Sequence, residues 1–262
     1  MATVADILAY IETIAPPYMA EDWDKIGLNC GRLNKKVKKL LVALDPFPHV
    51  CQEAIQAGAD LLVTHHPLIW EPGFITDATT QGQCVLTLTE HGIAHISAHT
   101  NLDCAPGGVN DTLANALGLK DVSVIEPKGT DLQGREWGLM RIGTVDVQPL
   151  DRYLATVKDA LACDGLRYVN GGKAVNRVAV GGGACGSELH DAAKAGCDTF
   201  VTSDVKYNQF WDAKELGINL IDAGHFHTEN PVCKVLAEKL AAAFPDVEIV
   251  LSESHGDCIK YC

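Results

Sequence analysis

The chain has 262 residues, 47% of them hydrophobic and 21% charged, with 34 acidic residues against 21 basic ones and a formal charge of −13. That composition is enough to build an apolar core and excludes disorder, collagen and coiled coil. The acidic balance argues against a nucleic-acid binder, which needs a basic face to displace counterions from phosphates, but it leaves room for a small basic pocket.

Residues 3–14 read as an amphipathic helix, with Val4, Ile7, Leu8 and Ile11 at helical spacing and Pro16 and Pro17 as its stop. There is no basic n-region, and Asp6 and Glu12 interrupt the apolar residues, so this is not a secretory signal. No later apolar run is long enough to span a bilayer, and a soluble cytoplasmic protein is expected. A buried strand follows at 39–44, a helix at 48–58 closed by Gly58, and a second strand at 60–64 that runs into His65 and His66. A helix around 81–92 leads to a third strand at 93–97, and another helix is expected at 110–117. Further on, 137–143 reads as a strand and 149–162 as a helix. Strands alternating with helices of this length indicate an α/β fold with a largely parallel sheet.

The chain repeats itself. A shift of 138 lays residues 40–66 on 178–204 without a gap, with Val42/Val180, Ala54/Ala192, Ala57/Ala195, Gly58/Gly196, Asp60/Asp198, Val63/Val201 and Thr64/Thr202 identical. A shift of 125 lays EHGIAHISA (90–98) on ELGINLIDA (215–223). One strand–helix–strand–helix–strand unit is therefore used twice, and two lobes are expected, 1–125 and 126–262, with C-terminal residues able to return to the first.

Ten cysteines, at 30, 51, 84, 104, 163, 185, 197, 233, 258 and 262, stand without the two-residue spacing of a zinc knuckle or redox motif. They read as reduced thiols packed as small hydrophobes. The ten histidines are different, because several fall at equivalent strand ends of the repeat, where ligands gather in open α/β sheets. His65 and His66 end one strand, and Pro67 stops the ladder so that both rings can turn to one side. His99 and Asp103 follow a later strand; Ser203 and Asp204 end a strand in the second copy; His225 and Glu229 are four apart, on one face if a helix starts there. His227, two residues from Glu229, would point elsewhere. Alone, a His-His pair or an HxxxE is an ordinary surface feature, and Asp103 can serve as a turn or cap residue. Together, His65, His66, Asp103, His225 and Glu229 make a nitrogen–oxygen donor set suited to Zn, Fe, Mn, Co or Ni. Five ligands exceed one tetrahedral ion and suit two ions with Asp103 as the bridge, about 3.5–4 Å apart. His99 is expected to orient a ligand rather than to be one.

Four motifs carry a family resemblance over nearly the whole chain: Trp23-Asp24-Lys25-Ile26-Gly27-Leu28, DLLVTHHP (60–67), SAHTNLD (97–103) and DAGHFHTE (222–229). They resemble those of the NIF3-like family, also called dinuclear-metal-centre hexameric proteins or GTP cyclohydrolase 1 type 2 homologues. The resemblance implies two interlinked α/β lobes related by internal pseudo-symmetry, the same five metal ligands, two divalent ions per chain and a ring-like homohexamer. Asn208 stands where the family carries a histidine, and Ser203 where it commonly has glycine. The long central insertion of larger relatives is lacking.

Two functions follow. One is a metal-dependent hydrolase using metal-bound hydroxide, with Asp204 or His99 assisting proton transfer. The family label suggests ring opening of GTP, by attack on a purine carbon and loss of formate. No GxxxxGK[ST] loop is present, but Gly182, Gly183, Gly186 and Ser187, with Lys206, form a candidate phosphate cradle for a nucleotide or other phosphorylated small molecule. A tight strand–helix turn would read the same way. The other function is a non-catalytic metal-binding scaffold for metal sensing, storage or insertion.

Overall fold

Thr3 starts the first helix by a reciprocal cap: its hydroxyl accepts the Asp6 N–H, and the Asp6 carboxylate accepts the Thr3 N–H at 2.8 Å. The helix, α1 (Val4–Ile14), buries Val4, Ile7 and Ile11, and ends ahead of Pro16. The computed structural model describes residues 1–71 and 73–262. They form two compact units, residues 1–105 with 233–256, and residues 106–232 with 257–262.

In the first unit α1 is followed by β1 (Gly27–Cys30), β2 (Lys39–Ala43), α2 (Pro48–Gln56), β3 (Leu61–Thr64), α3 (Thr80–Glu90), β4 (Ala94–Ser97) and α4 (Thr100–Cys104). The second unit contributes α5 (Val109–Ala116), β5 (Lys120–Ile125), the short hairpin β6 (Gly129–Thr130) and β7 (Glu136–Trp137), β8 (Met140–Gln148), α6 (Leu150–Leu161) and β9 (Arg167–Val169). It continues through β10 (Val175–Val180), α7 (Leu189–Lys194), β11 (Thr199–Thr202), α8 (Tyr207–Leu216), β12 (Asn219–Asp222) and α9 (His225–Glu229). Helix α10 (Pro231–Ala243) starts at the end of this stretch, and most of it and β13 (Glu248–Leu251) belong to the first unit.

The first sheet has the order β1-β4-β3-β2-β13, all neighbours parallel except β1 against β4. Leu41, Ala43 and Leu62 pack on Val50, Cys51 and Ala54 of α2 and on Cys84, Val85 and Leu88 of α3. The second sheet has the order β5-β8-β10-β11-β12-β9, with β10, β11 and β12 parallel. Strand alternation sends Val178, Val180, Val201 and Ile221 to one core with α5 and α6, and Ala179, Phe200 and Leu220 to another with α7 and α8. The sequence prediction of an α/β fold holds, with β8, β5 and β9 adding antiparallel strands.

The repeat is visible in the hydrogen bonds. Strands β3 and β11 coincide under the shift of 138, and β4 and β12 under the shift of 125. Gly58 and Gly196 both take positive φ, +66° and +80°, and the following N–H returns to Ala54 and Ala192 respectively. Asp60 accepts the backbone N–H groups of Lys38 and Lys39, and Asp198 those of Asn176 and Arg177. The strand ends match too: Ala98 N–H donates to Thr64 O, and Ala223 N–H to Thr202 O.

Among the described residues no helix is long and apolar enough to cross a membrane. Seven cysteines, Cys51, Cys84, Cys104, Cys163, Cys185, Cys197 and Cys233, are buried. This fits packing as small hydrophobes.

Candidate metal centre

In the first unit β3 delivers His65 and His66 into a tightly held turn. The Thr64 hydroxyl donates to the His66 carbonyl at 2.6 Å and so is left to accept the Nε2–H of His95 at 2.7 Å. Burial pushes the His95 imidazole down to about 3, so it is neutral beneath the strand end. His65 is 1% exposed, and its Nδ1 faces the Ala98 carbonyl at 2.8 Å. His66 Nδ1 faces Asp45 Oδ1 at 2.6 Å. Each acceptor holds the proton on Nδ1 and leaves the Nε2 lone pair for a metal. Asp45 also takes Nε2 of His255 at 2.9 Å; burial would raise its pKa, but the two imidazole partners hold it well below the usual carboxylate range.

The other half of this cluster comes from the turn after β4. His99 Nδ1 is 2.9 Å from Asp24 Oδ1, and Thr100 donates its N–H to Asp24 Oδ2 at 2.9 Å and its hydroxyl to the same oxygen. Burial opposes ionisation of Asp24, yet these hydrogen bonds outweigh it and hold the pKa at about 2. With His99 and Thr100 tied down, α4 begins and places Asp103, 6% exposed, with Oδ1 3.5 Å from His65 Nε2. The rings of His65, His66 and His99 form a triangle with centroids 4.9, 5.1 and 5.4 Å apart. Their ring nitrogens lie close enough for one metal ion. Trp23 and Trp70 stand edge-on to His99 at 6.0 and 5.2 Å.

In the second unit β12 ends at Asp222, whose carboxylate accepts the N–H of Val205 at 3.0 Å and of Gly224 at 3.1 Å, and pairs with Arg167. Gly224, at φ +84°, turns the chain into α9. One turn of that helix sets His225 Nε2 3.0 Å from Glu229 Oε2, with Glu229 only 3% exposed. His225 Nδ1 is held by Asp204 Oδ2 at 2.7 Å, the same Nδ1 anchoring seen for His65 and His66. His227 leaves this pair: its Nδ1 faces Leu161 O at 3.1 Å and its Nε2 faces Asp257 at 3.3 Å.

The glycine-rich turn after β10 serves Glu229. Gly182 N–H donates to Asn110 Oδ1 at 2.7 Å and Gly183 N–H to Thr228 Oγ1 at 3.0 Å, so these two amides of the expected phosphate cradle are engaged within the protein. Gly183 has φ +63°, and a Cβ there would fall 2.0 Å from Glu229 Oε1. Gly183 O accepts both the N–H and the hydroxyl of Ser203, which gives the serine in that strand end a bonding role. A Cβ on Gly186 would meet Gln209 at 2.6 Å, Ser187 bonds Glu188, and Lys206 is exposed ahead of α8 with Asn208 exposed in its first turn.

The donor chemistry fits a divalent metal. In the first unit His65 and His66, fixed through Nδ1 by oxygen acceptors, stand with the buried carboxylate of Asp103, and in the second unit His225, fixed the same way, stands with the buried carboxylate of Glu229. The anchoring residues Asp45, Asp24 and Asp222 were not assigned roles from sequence. Asp24 and Asp222 lie within the motifs quoted above, whereas Asp45 carries no local signal.

Known proteins agree with the motifs. The sequence model of the Duf34/NIF3 (NGG1p interacting factor 3) family matches residues 2–257. The chain is 34% identical over 261 residues to a GTP cyclohydrolase 1 type 2 homolog of Clostridium perfringens, covering 98% of each. The structure is similar to that of a Bacillus cereus protein related to NIF3, with TM-score 0.91, 28% identity and coverage of 100% and 99%. It is also similar to reduced HcgD from Methanocaldococcus jannaschii, with TM-score 0.81, 30% identity and coverage of 96% and 98%. The chain belongs to the Duf34/NIF3 family.

Proposed function

We propose that His65, His66, Asp103, His225 and Glu229 hold two divalent metal ions and that the protein is a metal-dependent hydrolase. The observation that carries this reading is the shared anchoring of the three histidines, each tied at Nδ1 with Nε2 presented. Bound ions of this kind supply Lewis acidity and a water acidified toward neutral pH. The chain's own residues orient the donors: Ala98 O, Asp45 and Asp204 fix the imidazoles, and Asp24 fixes the turn that carries Asp103. Asp204, half exposed and bonded to His225, is the candidate for assisting proton transfer.

The relatives' name supports a nucleotide substrate, with ring opening of a purine and release of formate as the reaction to test. The family resemblance supports a homohexamer, checked by light scattering on the intact chain. The decisive assay loads the protein with Zn2+, Mn2+ or Fe2+, offers a panel of nucleotides and phosphoesters, and follows formate and phosphate beside Asp103→Ala. Turnover lost in the variant supports the hydrolase; turnover unchanged in it refutes the site.

A second reading, metal storage or insertion without catalysis, has its own support. Both candidate proton carriers, His99 and Asp204, are already engaged as hydrogen-bond partners of Asp24 and His225. Tight metal binding with no turnover across the panel would select it.

A further inference from the structure

We infer that His255 is a positioning residue for the metal ligand His66, acting through Asp45; this rests on the metal reading above. Strand β13 pairs in parallel with β2, Leu251 opposite Val42, so the C-terminal strand ends at the same edge where Asp45 follows β2. The chain is then caught by Glu53 of α2, whose carboxylate accepts the hydroxyl of Ser254 at 2.6 Å and the N–H of Glu253 at 2.8 Å, with Ser252 beside it. Ser252 Oγ in turn accepts the His255 N–H at 3.3 Å. His255 is thereby seated with its side chain 3% exposed, packed by the rings of Phe47 and His49, and its Nε2 is 2.9 Å from Asp45 Oδ2.

Asp45 divides its two oxygens between two imidazoles, Oδ2 to His255 and Oδ1 to His66. A carboxylate held at one oxygen can still turn about its Cβ–Cγ bond. Held at both, its plane is set, and with it the direction from which Oδ1 grips His66. The consequence is a fixed His66 ring and a fixed Nδ1–H tautomer, the usual contribution of groups behind a metal ligand. Sequence spacing hides this link, because His255 lies far along the chain from both partners.

The test uses the full chain and Zn2+ alone, with affinity read by competition against a chromophoric chelator for wild type, His255→Ala, His255→Gln and His66→Ala. Long-range 15N–1H spectra of the metal-free protein report the His66 tautomer. His255→Ala is expected to weaken Zn2+ binding about 10- to 100-fold and to mix the His66 tautomers. His255→Gln, which keeps an N–H donor, is expected to restore most of both. Wild-type affinity and a single His66 tautomer in His255→Ala would overturn the inference, and so would equal defects in the Ala and Gln variants. If wild type binds no Zn2+, or His66→Ala binds as wild type does, the metal reading fails instead; the tautomer measurement then still decides whether His255 positions His66.

Discussion

Asp60 and Asp198 do one task in two sheets: each folds its carboxylate back over two N–H groups near the start of the neighbouring strand, Lys38–Lys39 and Asn176–Arg177. These donors are backbone N–H groups near the start of β2 and β10, where a charged acceptor is worth more than a neutral one. Asp60→Ala and Asp198→Ala are each expected to destabilise the chain by about 2–3 kcal/mol, read from urea unfolding at neutral pH. A loss below about half a kcal/mol at both positions would show that the identity has another cause.

Gly183→Ala separates folding from metal binding. The backbone there is left-handed, costing a side chain about 1 kcal/mol, and the new methyl meets the flexible end of Glu229 rather than backbone. The carboxylate can move aside, so the variant should fold with a modest loss of stability while Zn2+ affinity falls at least about ten-fold. Chelator competition with a parallel melting curve checks both halves, and undiminished affinity would argue against Glu229 as a ligand.

Asp24→Asn removes the charge that draws His99 and both donors of Thr100 together. About 2 kcal/mol of stability should be lost at neutral pH, together with Zn2+ affinity, because Asp103 is placed by the same turn. Asp24 ionises at about 2 in the folded chain against an ordinary 3.8, so its contribution is present above 3.8 and disappears as the pH falls through 2. Acid unfolding curves of wild type and variant should therefore converge in that window.

His95 gives the opposite kind of acid sensitivity. In the unfolded chain it protonates near 6.5, whereas in the fold it stays neutral down to about 3. Between those values the unfolded state binds the extra proton, so stability falls as pH falls, by about 2 kcal/mol at about pH 5. Urea midpoints of wild type and His95→Leu at about pH 7.5 and about pH 5 test this; the variant should lose less on acidification.

The parallel strands β2, β3 and β4 were legible as short runs rich in apolar residues, and their counterparts β10, β11 and β12 because the repeat aligns them with the first set. The clustering of His65, His66 and Asp103, and of His225 with Glu229, followed from strand ends and helical spacing. The residues that hold those ligands were not legible: Asp45 and His255 act across the fold, and a single aspartate after a strand resembles any turn residue. The glycine turn at 181–187 was ambiguous for a different reason. Glycines look alike whether their amides face a ligand or, as for Gly182 and Gly183, face Asn110 and Thr228.

The first unit takes its outer strand β13 and most of α10 from residues 233–256, after the chain has passed through 106–232. On a ribosome emitting residues in order, at about 5–20 per second, β2 must wait with an open edge while the stretch coded later can already close its six-stranded sheet. The half whose translation begins first thus closes its sheet last. A nascent chain halted before residue 248 exposes a strand edge ready to pair with any other copy, whereas a peptide spanning 233–256 supplied in trans should seal it.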